Sequence, residues 1–306
     1  MAEESLARLL SGGLVTIEVQ GGIWMNIEYD ASLEALICPG ARATVLAAGA
    51  QPSLQALASE AARLAYVQAE TSLADRARLD DALDRVGFGP ASSMFDVRTG
   101  GYVYCSRKKT GGQVLVAFRG TEPHDLRDFM TDLQAQPAPW RGVRVHTGFL
   151  VAAQALEGPV QDWLARHREG GDALLLCGHS LGAALATLFA LVVESAQVVT
   201  IGSPRVGNAD FVAALQGIPI TRIVDCCDVV ATLPPALAAY RHAGQLLYID
   251  KDGATHLDAE PDFMLKDQAR GQAEFTWKNL VSANLAAVPV RALSDHSPIN
   301  YVRALF

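Results

Sequence analysis

The stretch Leu174–Ser195, LLLCGHSLGAALATLFALVVES, changes character at one serine. Before it runs a short, continuously apolar segment of strand length, and after it an all-round apolar segment of helical length. Between them Gly178-His179-Ser180-Leu181-Gly182 has the form Gly-x-Ser-x-Gly. Strand before and helix after is the context of a nucleophile elbow, a strained turn that projects the serine hydroxyl from the edge of a sheet. Side chains two positions either side of such a serine would collide, so glycine is required there. The first amides of the following helix carry no helical partner and a partial positive charge, which suits an oxyanion. Leu181, immediately after the serine, therefore supplies one expected oxyanion-hole N–H.

Working outward, strands and helices alternate. Val114–Phe118 is continuously apolar, as strands buried on both faces are. It follows a glycine turn after the strand-like GYVYCSR. Further strands are expected at Ala173–Cys177, Val198–Ile201, Thr221–Val224 and Gln245–Ile249, with helices near Phe149–Arg166 and over Leu181–Ser195. Upstream, LQALASEAARLAYVQ places Leu54, Leu57, Ala61, Leu64 and Ala65 on one helical stripe. Such interleaving implies an α/β architecture, a mostly parallel sheet with helices on both faces. Nothing resembling a linker splits the 306 residues, so they are read as one domain with a core over 51–306. Residues 1–50 form an N-terminal extension, in which LVTIEVQGGIWMNIEY around Gln20-Gly21-Gly22 predicts a β-hairpin.

Composition narrows the function classes. A formal charge of −8 disfavours nucleic acid, whose phosphates need clustered Lys and Arg. The five cysteines, at 38, 105, 177, 226 and 227, contain no Cys-x-x-Cys pair and leave one thiol over in any pairing, which favours reduced thiols and a cytoplasmic setting. The opening MAEESLARLLSGG has no long apolar core, so a secretory signal is not expected. The run Leu181–Val193 is shorter than the ~20 residues that span a bilayer. The spacing of His, Cys and Asp suggests neither a metal nor an organic cofactor.

A serine nucleophile needs a base, usually a histidine oriented by a carboxylate, and in this fold both follow the serine in the chain. His242, His256 and His296 lie well downstream. His179, inside the elbow, points away from the nucleophile's face.

Seven motifs occur in order: VLVAFRGTE, VHTGFL, GHSLGAALATL, GSPRVGNADF, DVVATLPP, YRHAGQLLYI and DHSPINYVRAL. In order and approximate spacing they resemble the class 3, fungal-type triacylglycerol lipases of the α/β-hydrolase superfamily, over roughly residues 55–305. By that resemblance the catalytic acid is Asp228 and the catalytic histidine His296, with Asp225 as the second candidate for the acid. The second oxyanion donor is Thr121, through its N–H with its hydroxyl assisting. His242 becomes a structural histidine, and His256 falls in a polar surface turn. Family members often carry proline where this chain has Ala231, a departure that predicts a looser loop behind Asp228. In the family the segment after the oxyanion residue is a lid. Here EPHDLRDFMTDL, 122–133, puts Leu126, Phe129, Met130 and Leu133 at helical spacing. It fits either a lid opening at a lipid surface or a permanently packed helix. The expected activity is cofactor-free serine carboxylester hydrolysis on acylglycerol or other fatty-acyl esters. Alternatives are a phospholipase A1, a feruloyl-type esterase, or a non-catalytic lipase-like interaction protein.

Overall fold

The computed structural model describes residues 16–19, 22–25, 28–121, 136–235, 239–282 and 288–306. Strands β1 (Thr16–Val19) and β2 (Gly22–Met25) pair antiparallel, as the alternating pattern predicts. The short helix α1 (Leu33–Ile37) starts at Ser32, whose hydroxyl accepts the Ala35 N–H. Helices α2 (Leu54–Leu64) and α3 (Leu73–Asp84) begin the same way, on Ser53 and Ser72. Strands β3 (Ser92–Asp96), β4 (Gly101–Arg107) and β5 (Gln113–Phe118) follow.

Next comes the hairpin β6 (Pro137–Trp140) and β7 (Val143–His146), turning through Arg141 and Gly142, both at positive φ. Its prolines hide it from period-2 reading, and they are tolerated because the two-stranded ribbon leaves N–H positions unpaired. Then run α4 (Thr147–His167), β8 (Ala173–His179), α5 (Leu181–Phe189), β9 (Ala196–Ile201), α6 (Ala209–Ala214), β10 (Ile220–Asp225), β11 (Gln245–Ile249) and β12 (Thr255–Leu257). Helices α7 (Pro261–Ser282), α8 (Arg291–Ser294) and α9 (Pro298–Leu305) complete the chain. Helix α5 is shorter than the expected 181–195: it ends at Phe189, and Ser195 at φ 54° reverses the chain into β9.

Eight strands form one sheet in the order β12-β11-β10-β9-β8-β5-β4-β3. Its five central strands, from β11 to β5, are parallel, and antiparallel strands close both edges. Side chains along β5 alternate between two cores. Val114, Val116 and Phe118 join the core under α4 and α5, while Leu115 and Ala117 join the one under α2 and α3. The register aligns Phe118 with Gly178, His179 with Ile201, and Ile223 with Ile201. The strand ends that follow Phe118, His179, Ile201 and Asp225 therefore open on one edge, where parallel α/β sheets hold their ligands.

Residues 28–50 are laced onto that edge. Asp30 and Asn300 exchange two hydrogen bonds of 2.9 Å, and the Ser297 hydroxyl donates to Ala35 O at 2.7 Å. The buried Arg63 pairs with Glu60 at 2.6 Å and donates to the carbonyls of Pro39, Arg42 and Ala43. Removing one partner of a buried ion pair strands the other charge. Arg63→Ala is therefore expected to cost about 3–5 kcal/mol and to loosen residues 39–44 first. Urea unfolding and amide exchange measure both; an exchange pattern unchanged at 39–44 would contradict the lacing.

Candidate active site

Ser180 sits at φ 57°, ψ −123°, on the turn between β8 and α5. Few non-glycine residues adopt this backbone, and its cost of about 1–3 kcal/mol persists only where the surroundings enforce it. The two neighbouring glycines show how. A Cβ on Gly178 would stand 2.2 Å from Gly182 O, and one on Gly182 would stand 2.2 Å from Phe118 O. The turn thus closes only when both lack side chains.

The His296 imidazole reaches this serine from the turn between α8 and α9. Its Nε2 lies 3.0 Å from Ser180 Oγ, and its Nδ1 lies 2.9 Å from both carboxylate oxygens of Asp228. Those partners assign the tautomer: Nδ1–H donates to the carboxylate, and Nε2 accepts the serine hydroxyl. All three side chains are buried. Gly202, the first residue after β9, makes room for the pair, since a Cβ there would stand 2.7 Å from Asp228 Oδ2 and 3.2 Å from the imidazole.

Asp228 is held by more than the histidine. Its Oδ1 accepts the Val230 N–H at 2.8 Å, and its Oδ2 accepts the Tyr301 hydroxyl at 2.5 Å. Tyr301 is fully buried; burial first, and the Asp228 charge second, push its phenol well above the ordinary range, so it stays a donor. Sequence reading does not reach Tyr301, although it lies in the same motif as His296. The loop behind Asp228 is not loosened at Ala231. That residue is buried in a 3₁₀ turn, Val230–Thr232, and its carbonyl accepts His242 Nε2–H at 2.8 Å.

The other candidates separate cleanly. Asp225 is buried with both carboxylate oxygens unpartnered among the described residues. Burial, followed by the charge of Asp295, pushes its carboxyl well above the usual range, so it is held as a neutral acid. His256 lies on β12, paired with Asp250 at 2.7 Å. His179 packs against His296 with ring centroids 4.5 Å apart, but neither of its nitrogens faces the serine. Nε2–H donates to the His296 carbonyl at 2.8 Å, and Nδ1 accepts the Tyr66 hydroxyl at 2.7 Å. Tyr66 is a second residue that sequence reading misses, because nothing local marks it.

Two buried histidines give the fold an acid limit. Burial, then the neighbouring His296, depresses His179 well below the ordinary value. Burial, with the charges of Arg222 and Arg205 behind it, holds His242 at about 2. Below an unfolded pKa of about 6.5 the unfolded chain binds protons that these histidines refuse, so stability falls as pH falls. For His242 the expected cost is about 2 kcal/mol at pH 5 relative to neutral pH, and His179 acts in the same direction. Denaturant titrations at pH 7 and 5 test this. His242→Gln should remove its share, and an unaltered pH dependence would refute the assignment.

Leu181 opens α5, so its N–H has no partner within the helix. Thr121 closes the described stretch after β5, and its Oγ1 is buried with no partner among the described residues. Thr121, Tyr66, His179 and His296 line a cleft whose other walls are Leu36, Pro39 and Pro298. The extension therefore contributes two apolar residues to the cleft that His296 and Thr121 line. Residues 122–133, the candidate lid, lie outside the described residues.

Residues 115–238 match the family described as lipase (class 3). A lipase of Rhizopus niveus is 29% identical over 197 residues, 58% of this chain and 48% of that protein. A chloroplastic phospholipase A(1) of Arabidopsis thaliana is 33% identical over 149 residues, 40% of this chain and 33% of that protein. The chain thus spans about half, or less, of the length of these curated relatives. The solved structure of lipase II from Rhizopus niveus superposes with a TM-score of 0.55 at 25% identity, covering 64% of this chain and 79% of that one. The sheet order, the glycine-flanked serine turn and these similarities together show an α/β-hydrolase fold in which residues 115–238 match the class 3 lipase family.

Proposed function

We propose that the protein is a serine carboxylester hydrolase acting on acylglycerol or other fatty-acyl esters. One observation carries the reading: a buried imidazole with its Nε2 3.0 Å from the Ser180 hydroxyl and its Nδ1 on a carboxylate. Ser180 Oγ attacks the ester carbonyl as His296 takes its proton, and Asp228 stabilises the imidazolium that forms. The carbonyl oxygen gains charge, which the Leu181 and Thr121 N–H groups and the Thr121 hydroxyl stabilise as preformed donors. Collapse of the tetrahedral intermediate transfers the proton from His296 to the leaving alcohol. Water, activated by the same imidazole, then releases the acyl group from Ser180.

Leu36, Pro39 and Pro298 around the site support a neutral, apolar substrate. The similarity to a phospholipase A(1) keeps a phospholipid ester as the second reading. Transient contact with a lipid surface accompanies either; no described helix is long and apolar enough to cross a membrane. The five free thiols support action in a reducing, cytoplasmic setting.

A fluorophosphonate probe is expected to label Ser180 in the folded protein. Absence of labelling would favour a non-catalytic interaction protein. Comparing short- and long-chain p-nitrophenyl esters, triglyceride and phospholipid then ranks the substrates, and turnover of none of them would overturn the hydrolase reading.

A further inference from the structure

The turn after β10 reads Asp225-Cys226-Cys227-Asp228. Along a strand, adjacent side chains point to opposite faces. Strand β10 stops at Asp225, however, and in the turn the two sulfurs converge to 3.5 Å. A carboxylate of remote origin, Asp295, closes the group: one ligand atom from each of Cys226, Cys227 and Asp295 lies within 4.8 Å of the other two. Sequence spacing suggests no metal-binding cluster, because the third donor stands 68 positions from the second.

We propose that Cys226, Cys227 and Asp295 bind a thiophilic divalent cation of the zinc–cadmium class, and that occupancy inhibits the adjoining hydrolytic site. Two sulfurs on one tetrahedral zinc, each at about 2.3 Å, stand about 3.8 Å apart. The observed 3.5 Å needs only a small shift. Two thiolates select a borderline-soft ion over magnesium or calcium. The present sulfur partners are weak: Cys226 Sγ donates to Asp267 Oδ2 at 3.3 Å, and Cys227 Sγ to Gln268 O at 3.4 Å. On binding, two S–H bonds break and two metal–sulfur bonds form. The protons pass to solvent, and the ion sheds waters in exchange.

Asp295 Oδ2 accepts Arg291 Nε–H and the Cys227 N–H, both at 2.9 Å, and among the described residues Oδ1 accepts the Tyr29 hydroxyl alone, at 2.6 Å, so the carboxylate keeps lone-pair capacity for the ion. Two thiolates and Asp295 offset one dication and Arg291, with the Asp267 carboxylate beside Cys226 an added negative charge. Cys227 is partly exposed, which provides entry. The position gives occupancy its consequence. Cys227 directly precedes Asp228 and Asp295 directly precedes His296, so an ion joining them pulls on both loops that orient the imidazole.

The binding half stands without the hydrolase reading, and the inhibition half rests on it. The test uses the full chain carrying Cys38→Ser, which removes the exposed thiol, kept reduced by a phosphine and titrated with Cd²⁺ alone. One equivalent should bind with a sulfur-to-cadmium charge-transfer band. Cys226→Ser and Cys227→Ser should each weaken binding by about 100-fold or more. No band, or an equal band and affinity in the double variant, overturns the site. Ester hydrolysis should fall with Cd²⁺ occupancy, recover with EDTA, and become insensitive in the double variant. Binding without any loss of turnover overturns the inhibition alone. A metal-free protein that never hydrolyses esters sinks the hydrolase reading, while the charge-transfer titration still decides the site.

Discussion

Ser180→Ala is expected to lower kcat on a p-nitrophenyl ester by about 10⁶-fold, the scale on which a serine nucleophile acts together with its base. Among the described residues the hydroxyl within hydrogen-bonding distance of His296 Nε2 is that of Ser180, at 3.0 Å. Stability should scarcely change, since the alanine loses one hydrogen bond worth about 1 kcal/mol. Ser180→Gly makes the sharper companion. At φ 57° glycine relieves strain that every other residue pays, so this variant should be equally inactive yet about 1 kcal/mol more stable than alanine at the same position. Burst-free kinetics and urea midpoints for the pair check both halves. Retained turnover in either variant would remove Ser180 as the nucleophile.

Asp228→Asn should reduce kcat by about 10⁴-fold, because an amide can present its N–H to His296 Nδ1 and favour the wrong tautomer. The control lies three residues upstream. Asp225→Asn should leave turnover within a few-fold and raise stability at neutral pH. Its sign follows from the raised carboxyl: above an unfolded pKa of about 3.9 the unfolded chain releases a proton that folded Asp225 retains. Stability therefore erodes as pH rises, and asparagine abolishes that loss. The advantage of the variant should grow from pH 4 to pH 7 in denaturant titrations. A large kcat loss in Asp225→Asn with Asp228→Asn active would reverse the two roles.

The contrast between these aspartates shows where legibility in the sequence stops. Both lie at the end of β10 in one short motif, and only resemblance to a family separates them on paper. In space the difference is plain. Asp228 accepts from His296, Val230 and Tyr301, whereas Asp225 has no partner for either oxygen among the described residues. Likewise His179 is adjacent to Ser180 in sequence, yet it braces the main chain of His296, and the imidazole that meets the serine hydroxyl is that of His296, 116 positions from Ser180. The extension, unexplained as sequence, proves to wall the cleft with Leu36 and Pro39 and to grip the residues around His296.

By itself the sequence determined what short-range physics governs: the apolar strand into Ser180, the helix after it, and the glycines without which that turn cannot close. Hydropathy period, backbone sterics and helix-end amides act within a few residues, so a short window carries them. Tertiary structure alone decided which acid meets which imidazole, that Tyr301 hydrogen-bonds Asp228 and Tyr66 hydrogen-bonds His179, and that two neighbouring thiols cluster with Asp295. Those contacts depend on strand register and on how loops cross the sheet edge, and distances between atoms remote in the chain emerge only once the whole core has packed.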